Sequence, residues 1–324
     1  MTDQAVPDRE SMPNLDDVRA AAARIAGHVR VTPVLDSPDL DARAGARLHF
    51  KCEHLQHGGA FKYRGASHAI WCLDDDSAAR GVVTHSSGNH GRAVALAAAK
   101  RGIPAHVVIP EGAVRSKVAA IEATGARVYR CAPTQAAREA ETERVRRATG
   151  AQLVHPYADP RIIAGQGTVA LELLRQVPSL DALLVPVGGG GLAAGCAVVA
   201  SALRSGLRLY GAEPAGADDT ARSLRSGKRV TDVVPDTVCD GLRATVGAPN
   251  FAILKAHGVM VLTVTDAQVL EAMRLLWSEL RQVVEPSSAT VLAVVMAHPG
   301  EFAGQDVGLV LTGGNVDLDD LPFA

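Results

Sequence analysis

A chain of 324 residues with 47% hydrophobic content is long enough for two domains sharing a large buried core. Its formal net charge of −2, with basic residues scattered, excludes the electrostatic footprint of a nucleic-acid or anionic-membrane binder. No apolar run approaches the roughly 18 residues of a membrane span, and the N-terminus MTDQAVPDRESMPNLDDVRA is too polar and acidic for a secretory signal.

Aromatic residues make up only 3%, which describes an aliphatic, alanine-rich interior of the kind α/β enzymes have. Five cysteines (Cys52, Cys72, Cys131, Cys196 and Cys239) contain no C-x-x-C pair and read as reduced thiols in a soluble cytoplasmic protein. Residues 1–13 read as a disordered lead-in, and Leu15 to Ile25 as a helix. Arg47 to Cys52 is a strand that leads into a glycine-rich loop around Lys62, with a helix beyond it to Leu73. From Gly81 the pattern alternates. Strands are expected at Val82–Thr84, Ala105–Ile109 and Arg127–Cys131, with helices at Gly91–Lys100, Ser116–Thr124 and Ala136–Ala148. A second series places helices at Gly165–Gln176, Leu192–Arg204, Asp266–Leu280 and Ser287–Met296. Its strands are Ala182–Val187, Arg208–Ala212, Val259–Val264 and Val307–Leu311. Such alternation gives parallel sheets with right-handed crossovers. The expected architecture is two α/β domains with a cleft between them. Residues 14–74 and 156–324 form the large one and residues 75–155 the small one.

Four stretches carry chemistry. In KCEHLQHGGAFKYRGA, Lys62 follows Gly58-Gly59-Ala60-Phe61, and a lysine held between glycines and an aromatic suggests an amine meant to react. Desolvation leaves such an amine partly neutral, able to attack an aldehyde carbon. A solvated lysine beginning a helix is the plainer explanation. THSSGNHG, Thr84 to Gly91, lies between a strand and a helix and offers Ser86, Ser87, Asn89 and free backbone N–H groups to an anion. Capping alone needs one such residue. In PVGGGGLAAG, four consecutive glycines let the backbone approach a phosphate at a helix N-terminus. Gly189-x-Gly191-x-x-Ala194, with Glu213 after the next strand, also fits a dinucleotide fingerprint, so a nicotinamide-dependent oxidoreductase is the alternative. LTGGNVD closes the last strand and puts the Thr312 hydroxyl at the sheet's carboxyl edge.

Taken together, G-A-F-K, S-S-G-N-H, G-G-G-G-L and T-G-G-N, with HPYADPRIIAGQGT at His155 to Thr168, resemble the fold-type II pyridoxal-phosphate enzymes of the serine/threonine dehydratase and serine racemase group. The resemblance runs from about Thr32 to Asp317. It implies a tryptophan-synthase-β-like α/β fold, pyridoxal 5′-phosphate as cofactor and β-elimination from serine, threonine or threo-3-hydroxyaspartate, with racemisation as the alternative outcome. By the same resemblance Lys62 forms the Schiff base and removes the substrate proton, and Ser87 handles it on the opposite ring face. Phe61 packs beside the ring, Asn89 bonds the 3′ oxygen, Gly188, Gly189, Gly190, Gly191 and Leu192 hold the phosphate, and Thr312 faces the pyridine nitrogen. Ser86, Ser87, Asn89 and His90 receive the substrate carboxylate, and Arg138 reaches toward a side-chain carboxylate. Gly58 and Ala60 stand where hydroxyl residues are common in the group, which bears on the substrate and not the class. Glu213, the Ala217 carbonyl and Asp219 resemble a Mg²⁺ or Ca²⁺ site, with an acidic loop in water as the plain reading. A homodimer is implied by resemblance alone, and no C-terminal regulatory domain is expected after Asn315. The eleven histidines show no H-E-x-x-H spacing, and His54, His57 and His90 read as local polar contacts rather than metal ligands.

Overall fold

The computed structural model describes residues 12–317 and 321. Most of the disordered lead-in expected over residues 1–13 therefore lies outside the described residues. Met12 packs partly against the core.

The N-terminal part holds α1 (Leu15–Ile25), β1 (Val34–Leu35), α2 (Pro38–Ala44), β2 (Arg47–Lys51), α3 (Lys62–Trp71) and α4 (Asp75–Arg80). Next come β3 (Val82–His85), α5 (Asn89–Arg101), β4 (Ala105–Pro110), α6 (Arg115–Glu122), β5 (Arg127–Cys131), α7 (Gln135–Thr149) and β6 (Gln152–Leu153). Then follow α8 (Pro160–Gln176), β7 (Ala182–Pro186), α9 (Gly191–Leu203), β8 (Arg208–Pro214), α10 (Asp219–Ser226) and α11 (Ala248–Ala256). The chain closes with β9 (Met260–Val264), α12 (Asp266–Ser278), α13 (Pro286–Ala297), α14 (Pro299–Phe302) and β10 (Asp306–Val310). Local chemistry sets the helix starts. Asn14 and Thr265 each begin a reciprocal capping box, and Ser37 and Asp74 cap the short α2 and α4, which hydrophobic periodicity alone does not reveal.

The larger sheet has six strands in the order β1-β2-β10-β7-β8-β9, parallel throughout except for β1 against β2. On one face Phe50, Leu184, Tyr210 and Leu309 pack against Leu276 of α12 and Val291 of α13. On the other, Leu183, Val185 and Val310 pack against Ile163 of α8 and Ala197 of α9. Neighbours Leu183 and Leu184 thus face opposite helical layers, so β7 reads as a continuous apolar run rather than an alternation. The smaller sheet, β5-β4-β3-β6, is wholly parallel. Val83 and Val108 pack against Val145 of α7, and Val107 and Ile109 against Ala95, Val118 and Ile121. Among the described residues no helix is long and apolar enough to cross a membrane.

Helix α8 threads between α3 and α9 at very short range. A Cβ on Gly165 would sit 2.7 Å from the Gly65 Cα, and one on Gly195 would sit 2.4 Å from the Ile163 carbonyl oxygen. α8 starts at Pro160 and not, as expected, at Gly165, because Asp159 caps it by accepting from Arg161 N–H and Pro160 suits the first helical position. Gly165 and Gly167 look like helix breakers in the sequence, but they serve helix contact. Because the atom met at Gly195 is backbone, Gly195→Ala forces the helices apart. We expect it to lower the unfolding free energy by about 1–3 kcal/mol, read from the urea midpoint at unchanged m-value; an unmoved midpoint would contradict the close approach.

Candidate active site

Five features converge at the carboxyl ends of the parallel strands: the Lys62 loop after β2, the Ser86–Asn89 turn after β3, the glycine turn after β7, Glu213 on β8 and Thr312 after β10. Parallel α/β sheets gather ligands at this edge.

Lys62 opens α3. The loop before it turns at Gly58 and Gly59, both with positive φ, and lies antiparallel on the segment that leaves β10. Phe61 N–H donates to the Thr312 carbonyl at 3.0 Å, and Gly314 N–H donates to the Gly59 carbonyl at 3.0 Å. A Cβ at Gly59 would lie 2.5 Å from Asn315 Oδ1, so the position requires glycine for space as well as for φ. Behind the loop, Arg64 is buried between two carboxylates. It donates to Glu53 at 2.7 and 2.8 Å and to Glu172 at 2.9 and 3.1 Å. Lys51, fully buried, donates to Glu172, to Gln176 and to the Thr32 carbonyl. This network fastens the first turn of α3 to β2 and α8. The Lys62 amine itself donates to the Pro156 carbonyl at 3.1 Å and stands 5.1 Å from the Phe61 ring centroid. Burial lowers its pKa to about 8, against an opposing pull from Glu285.

At the second turn, Asn89 begins α5. Ser86 Oγ accepts from Gly88 N–H at 3.3 Å, and Ser87 is half-buried with its hydroxyl uncommitted among the described residues. The His90 ring is buried and donates to the Val154 carbonyl at 3.2 Å, and burial followed by the Lys62 charge drives its pKa well down. Its imidazole is therefore a neutral brace, and only its backbone N–H at the helix start is left for an anion.

The third turn runs over Gly188 to Gly191, with Gly190 at φ 85°. Cβ atoms there would strike Leu242 Cα at 2.9 Å (from Gly188) and the Tyr157 ring at 2.3 Å (from Gly189). The cradle therefore exists only without side chains. Asn250 ties it down, donating to the Gly189 and Tyr157 carbonyls. The Leu192 side chain is buried in the core, so only its N–H can contribute at the start of α9.

Thr312 is buried beside Ser288. Ser288 Oγ donates its one proton to the Gly313 carbonyl at 2.7 Å and accepts from Gly313 N–H, so the 3.1 Å contact is donated by Thr312. Arg138, half-buried on α7, lies close enough to help depress the His85 pKa and to act on the Tyr157 phenol.

Glu213 and Asp219 come together as a buried pair. Glu213 accepts from Thr220 and Ala221 N–H at the start of α10, and Asp219 accepts from Val246 N–H at 2.8 Å. Burial raises their pKa values to about 8 and about 6. Ala217 is buried in the turn between them. Among the described residues no group of three or more His, Cys, Asp or Glu side chains could hold a metal ion.

Sequence reasoning gave no role to Glu285, Ser288, Asn315, His155 and Tyr157. Glu285 is buried, accepts from Asn89 at 2.8 Å, and is raised to about 7 by burial and by Asp240. His155 Nδ1 accepts from the Tyr157 and Ala158 N–H groups, and burial beside His85 lowers its pKa to about 4. In sequence Glu285 before Pro286 reads as an ordinary helix-start acid, and only the fold shows it facing Asn89.

The half-buried amine of Lys62, the buried Thr312 hydroxyl on the segment bonded to its loop, and the side-chain-free turn before α9 suit an α/β enzyme that holds a phosphate-bearing cofactor. Residues 25–313 match the family described as pyridoxal-phosphate dependent enzyme. The chain is 46% identical over 312 residues to the beta-hydroxyaspartate dehydratase of Paracoccus denitrificans, covering 96% of this chain and 99% of that protein. It is 44% identical to the serine racemase of Dictyostelium discoideum, covering 95% and 96%. Among solved structures, maize serine racemase superposes with a TM-score of 0.92 at 44% identity, covering 95% of both chains. A threonine deaminase from T.th. superposes at 0.90 and 42% identity, covering 94% and 99%. This chain belongs to the pyridoxal-phosphate-dependent enzyme family, with the fold-type II architecture. That membership retires the nicotinamide alternative. Glu213, its would-be ribose acid, instead caps α10.

With burial lowering the Lys62 amine to about 8, its neutral fraction grows through that pH. Reductive methylation of Lys62 in cofactor-free protein, read by peptide mass spectrometry, is expected to rise with a midpoint near 8. A midpoint at the ordinary lysine value of 10.5 would remove the desolvation argument.

Proposed function

We propose that this chain is a pyridoxal-phosphate-dependent dehydratase that converts a β-hydroxy-α-amino acid to a 2-oxo acid and ammonia, with threo-3-hydroxyaspartate the foremost substrate and serine and threonine alongside it. The observation that carries this is the Lys62 amine: half-buried, lowered to about 8, and hydrogen-bonded to a carbonyl rather than to an acid. It is thereby available both to anchor an aldehyde and to take a proton as a neutral base. The cofactor's part is to withdraw electrons from the substrate Cα, making its hydrogen acidic.

The chain's own residues do the rest. The turn Gly188–Gly191 and the first N–H groups of α9, including that of Leu192, would hold the phosphate; the turn keeps this shape because a Cβ at any of the four glycines would press on Leu242, Tyr157 or Asn250. With the cofactor bound, Phe61 would pack beside its ring, Asn89 would donate to the 3′ oxygen, and the Thr312 hydroxyl, now bonded to Ser288, would face the ring nitrogen as a neutral group. Ser86, Ser87, Asn89 and His90, the last through its N–H, receive the substrate α-carboxylate, and Arg138 the side-chain carboxylate. The substrate assignment is supported by the 46% identical dehydratase and by Arg138, whose charge is felt at His85 and Tyr157. Racemisation is the second reading, favoured by the uncommitted hydroxyl of Ser87.

We further infer the division into residues 14–74 with 156–324, and 75–155, supported by the two separate sheets. We also infer that the protein is cytoplasmic, in keeping with its free cysteines, and a homodimer. Exposed Val31, Leu55 and Val283, on segments hydrogen-bonded to one another, supply an apolar face for the dimer, and light scattering at the monomer mass would refute it. We also infer a divalent cation held by Glu213, Asp219 and the Ala217 carbonyl; the mutual repulsion of two buried carboxylates supports this reading, and the ion would share Glu213 with the Thr220 and Ala221 N–H groups.

Two experiments bear on these readings. In the first, purified protein carrying the cofactor is given serine, threonine and 3-hydroxyaspartate in turn, and 2-oxo acid and enantiomer content are measured. 3-Hydroxyaspartate is expected to release oxo acid fastest, and Lys62→Ala to lower turnover by at least about 10²-fold and to lose the covalent chromophore. A Lys62→Ala protein that keeps both would sink the proposal. In the second, Mg²⁺ is expected to raise the melting temperature of the parent protein but not of Glu213→Gln. Equal shifts would place the ion elsewhere.

A further inference from the structure

Four side chains form one hydrogen-bonded row across the cleft wall. Arg92 Nη1 donates to Asn315 Oδ1 at 2.8 Å, and Asn315 Nδ2 donates to Asn89 Oδ1 at 2.7 Å. Asn315 Nδ2 also donates to the Gly58 carbonyl at 2.8 Å, and Asn89 Nδ2 donates to Glu285 Oε1 at 2.8 Å. An asparagine amide turned over by half a rotation keeps its shape and exchanges donor for acceptor, so only its partners decide which way round it sits. Here the partners decide it. A guanidinium offers only donors, so Arg92 demands the oxygen of Asn315. The Gly58 carbonyl offers only lone pairs, so it demands the nitrogen of Asn315. That nitrogen in turn demands the oxygen of Asn89. The Asn89 nitrogen is thereby turned to Glu285, with its second N–H left for the cleft. A charged donor at one end and a carboxyl at the other polarise the links between them in the same sense.

We propose that Arg92 is a positioning residue: without touching the cofactor, it fixes through Asn315 which way round the Asn89 amide sits, and so makes Asn89 a hydrogen-bond donor to the cofactor's ring oxygen. This rests on the proposed function and deepens it. Arg92 lies three residues after Asn89 on α5, on the same helix face, and is half-buried at the cleft edge. Asn315 reaches Asn89 from the far end of the chain, and Glu285 reaches it from the start of α13.

The test is a titration of cofactor-free parent, Arg92→Lys and Arg92→Glu proteins with pyridoxal 5′-phosphate, following both affinity and the visible absorption band, with melting temperatures alongside. Arg92→Lys keeps a donor and is expected to keep the parental affinity and band. Arg92→Glu puts an acceptor where Asn315 needs a donor, which sets repulsion at that end against the hold of the Gly58 carbonyl and so loosens or reverses the row. It is expected to bind at least about tenfold more weakly, as befits one charge-assisted hydrogen bond lost, with a displaced band. Parental affinity and band in folded Arg92→Glu would overturn the proposal and leave Arg92 a merely structural residue, whatever the melting temperature. Should Arg92→Glu fail to fold, Asn315→Leu breaks the middle link with Arg92 intact. Weakened binding with a displaced band supports the proposal there, and parental values overturn it. The parent titration separates the two readings, since a parent that takes up no cofactor overturns the proposed function itself.

Discussion

The loop that carries Lys62 has little regular structure to hold it, and its geometry depends on being laid along the chain that leaves β10. The Phe61–Thr312 and Gly59–Gly314 main-chain bonds, with the Asn315 side chain on Gly58, are what place the amine in the cleft. These contacts join segments at opposite ends of the sequence. The buried network of Arg64, Glu53, Glu172 and Lys51 then keeps the following helix from moving off with the loop. Removing one partner of such a network strands a charge in the interior, which costs about 3–5 kcal/mol. Its worth here is geometric, since ion pairs in dry surroundings add little net stability.

Desolvation, more than any pairing, sets the chemistry of the cleft. It lowers Lys62, His90 and His155 and raises Glu213, Asp219 and Glu285. At each of these six groups burial is the largest effect, unlike Arg64 and Glu172 behind the loop, where pairing outweighs it. For Lys62 the attraction of Glu285 is present but weaker, and the outcome is an amine that exchanges its proton near neutrality. The histidines around it stay neutral for the same reason. Positive charge in the cleft therefore comes from the part-protonated Lys62 amine and from arginine side chains at the rim, and not from imidazole.

Much of the fold was legible in the sequence because parallel strands buried on both faces are continuous apolar runs, as at Ala182–Pro186 and Ala105–Pro110. The short α2 and α4 were not, since they rest on a Ser37 or Asp74 cap rather than on a long apolar stripe. The start of α8 was missed because glycines that permit helix contact look, in one dimension, like glycines that end a helix. In the site, the glycine turn after β7 and the loop of Lys62 announce themselves locally. Glu285, Asn315 and Tyr157 do not. Each matters through a partner far away in sequence, and no spacing rule connects position 89 with 285 or 315. Individual roles at those readable turns came from family resemblance, with physical chemistry supplying only the kind of ligand each turn suits.

The strand order carries a consequence for how the chain is made. β2, formed by residue 51, and β7, formed by residue 186, do not touch; β10 lies between them and pairs with both. During synthesis from the N-terminus, the middle of the larger sheet stays open until residue 310 has left the ribosome. The smaller sheet, drawn entirely from residues 82–153, is complete long before. The nascent protein thus carries a finished unit within an unfinished one. For most of that interval the hydrophobic edges of β2 and β7 have no neighbour to cover them, and an uncovered edge of that kind is where chains associate wrongly. The segment that lays down Thr312 and Asn315 is also the one that closes the sheet, so the amine at position 62 meets its surroundings only in the last moments of folding.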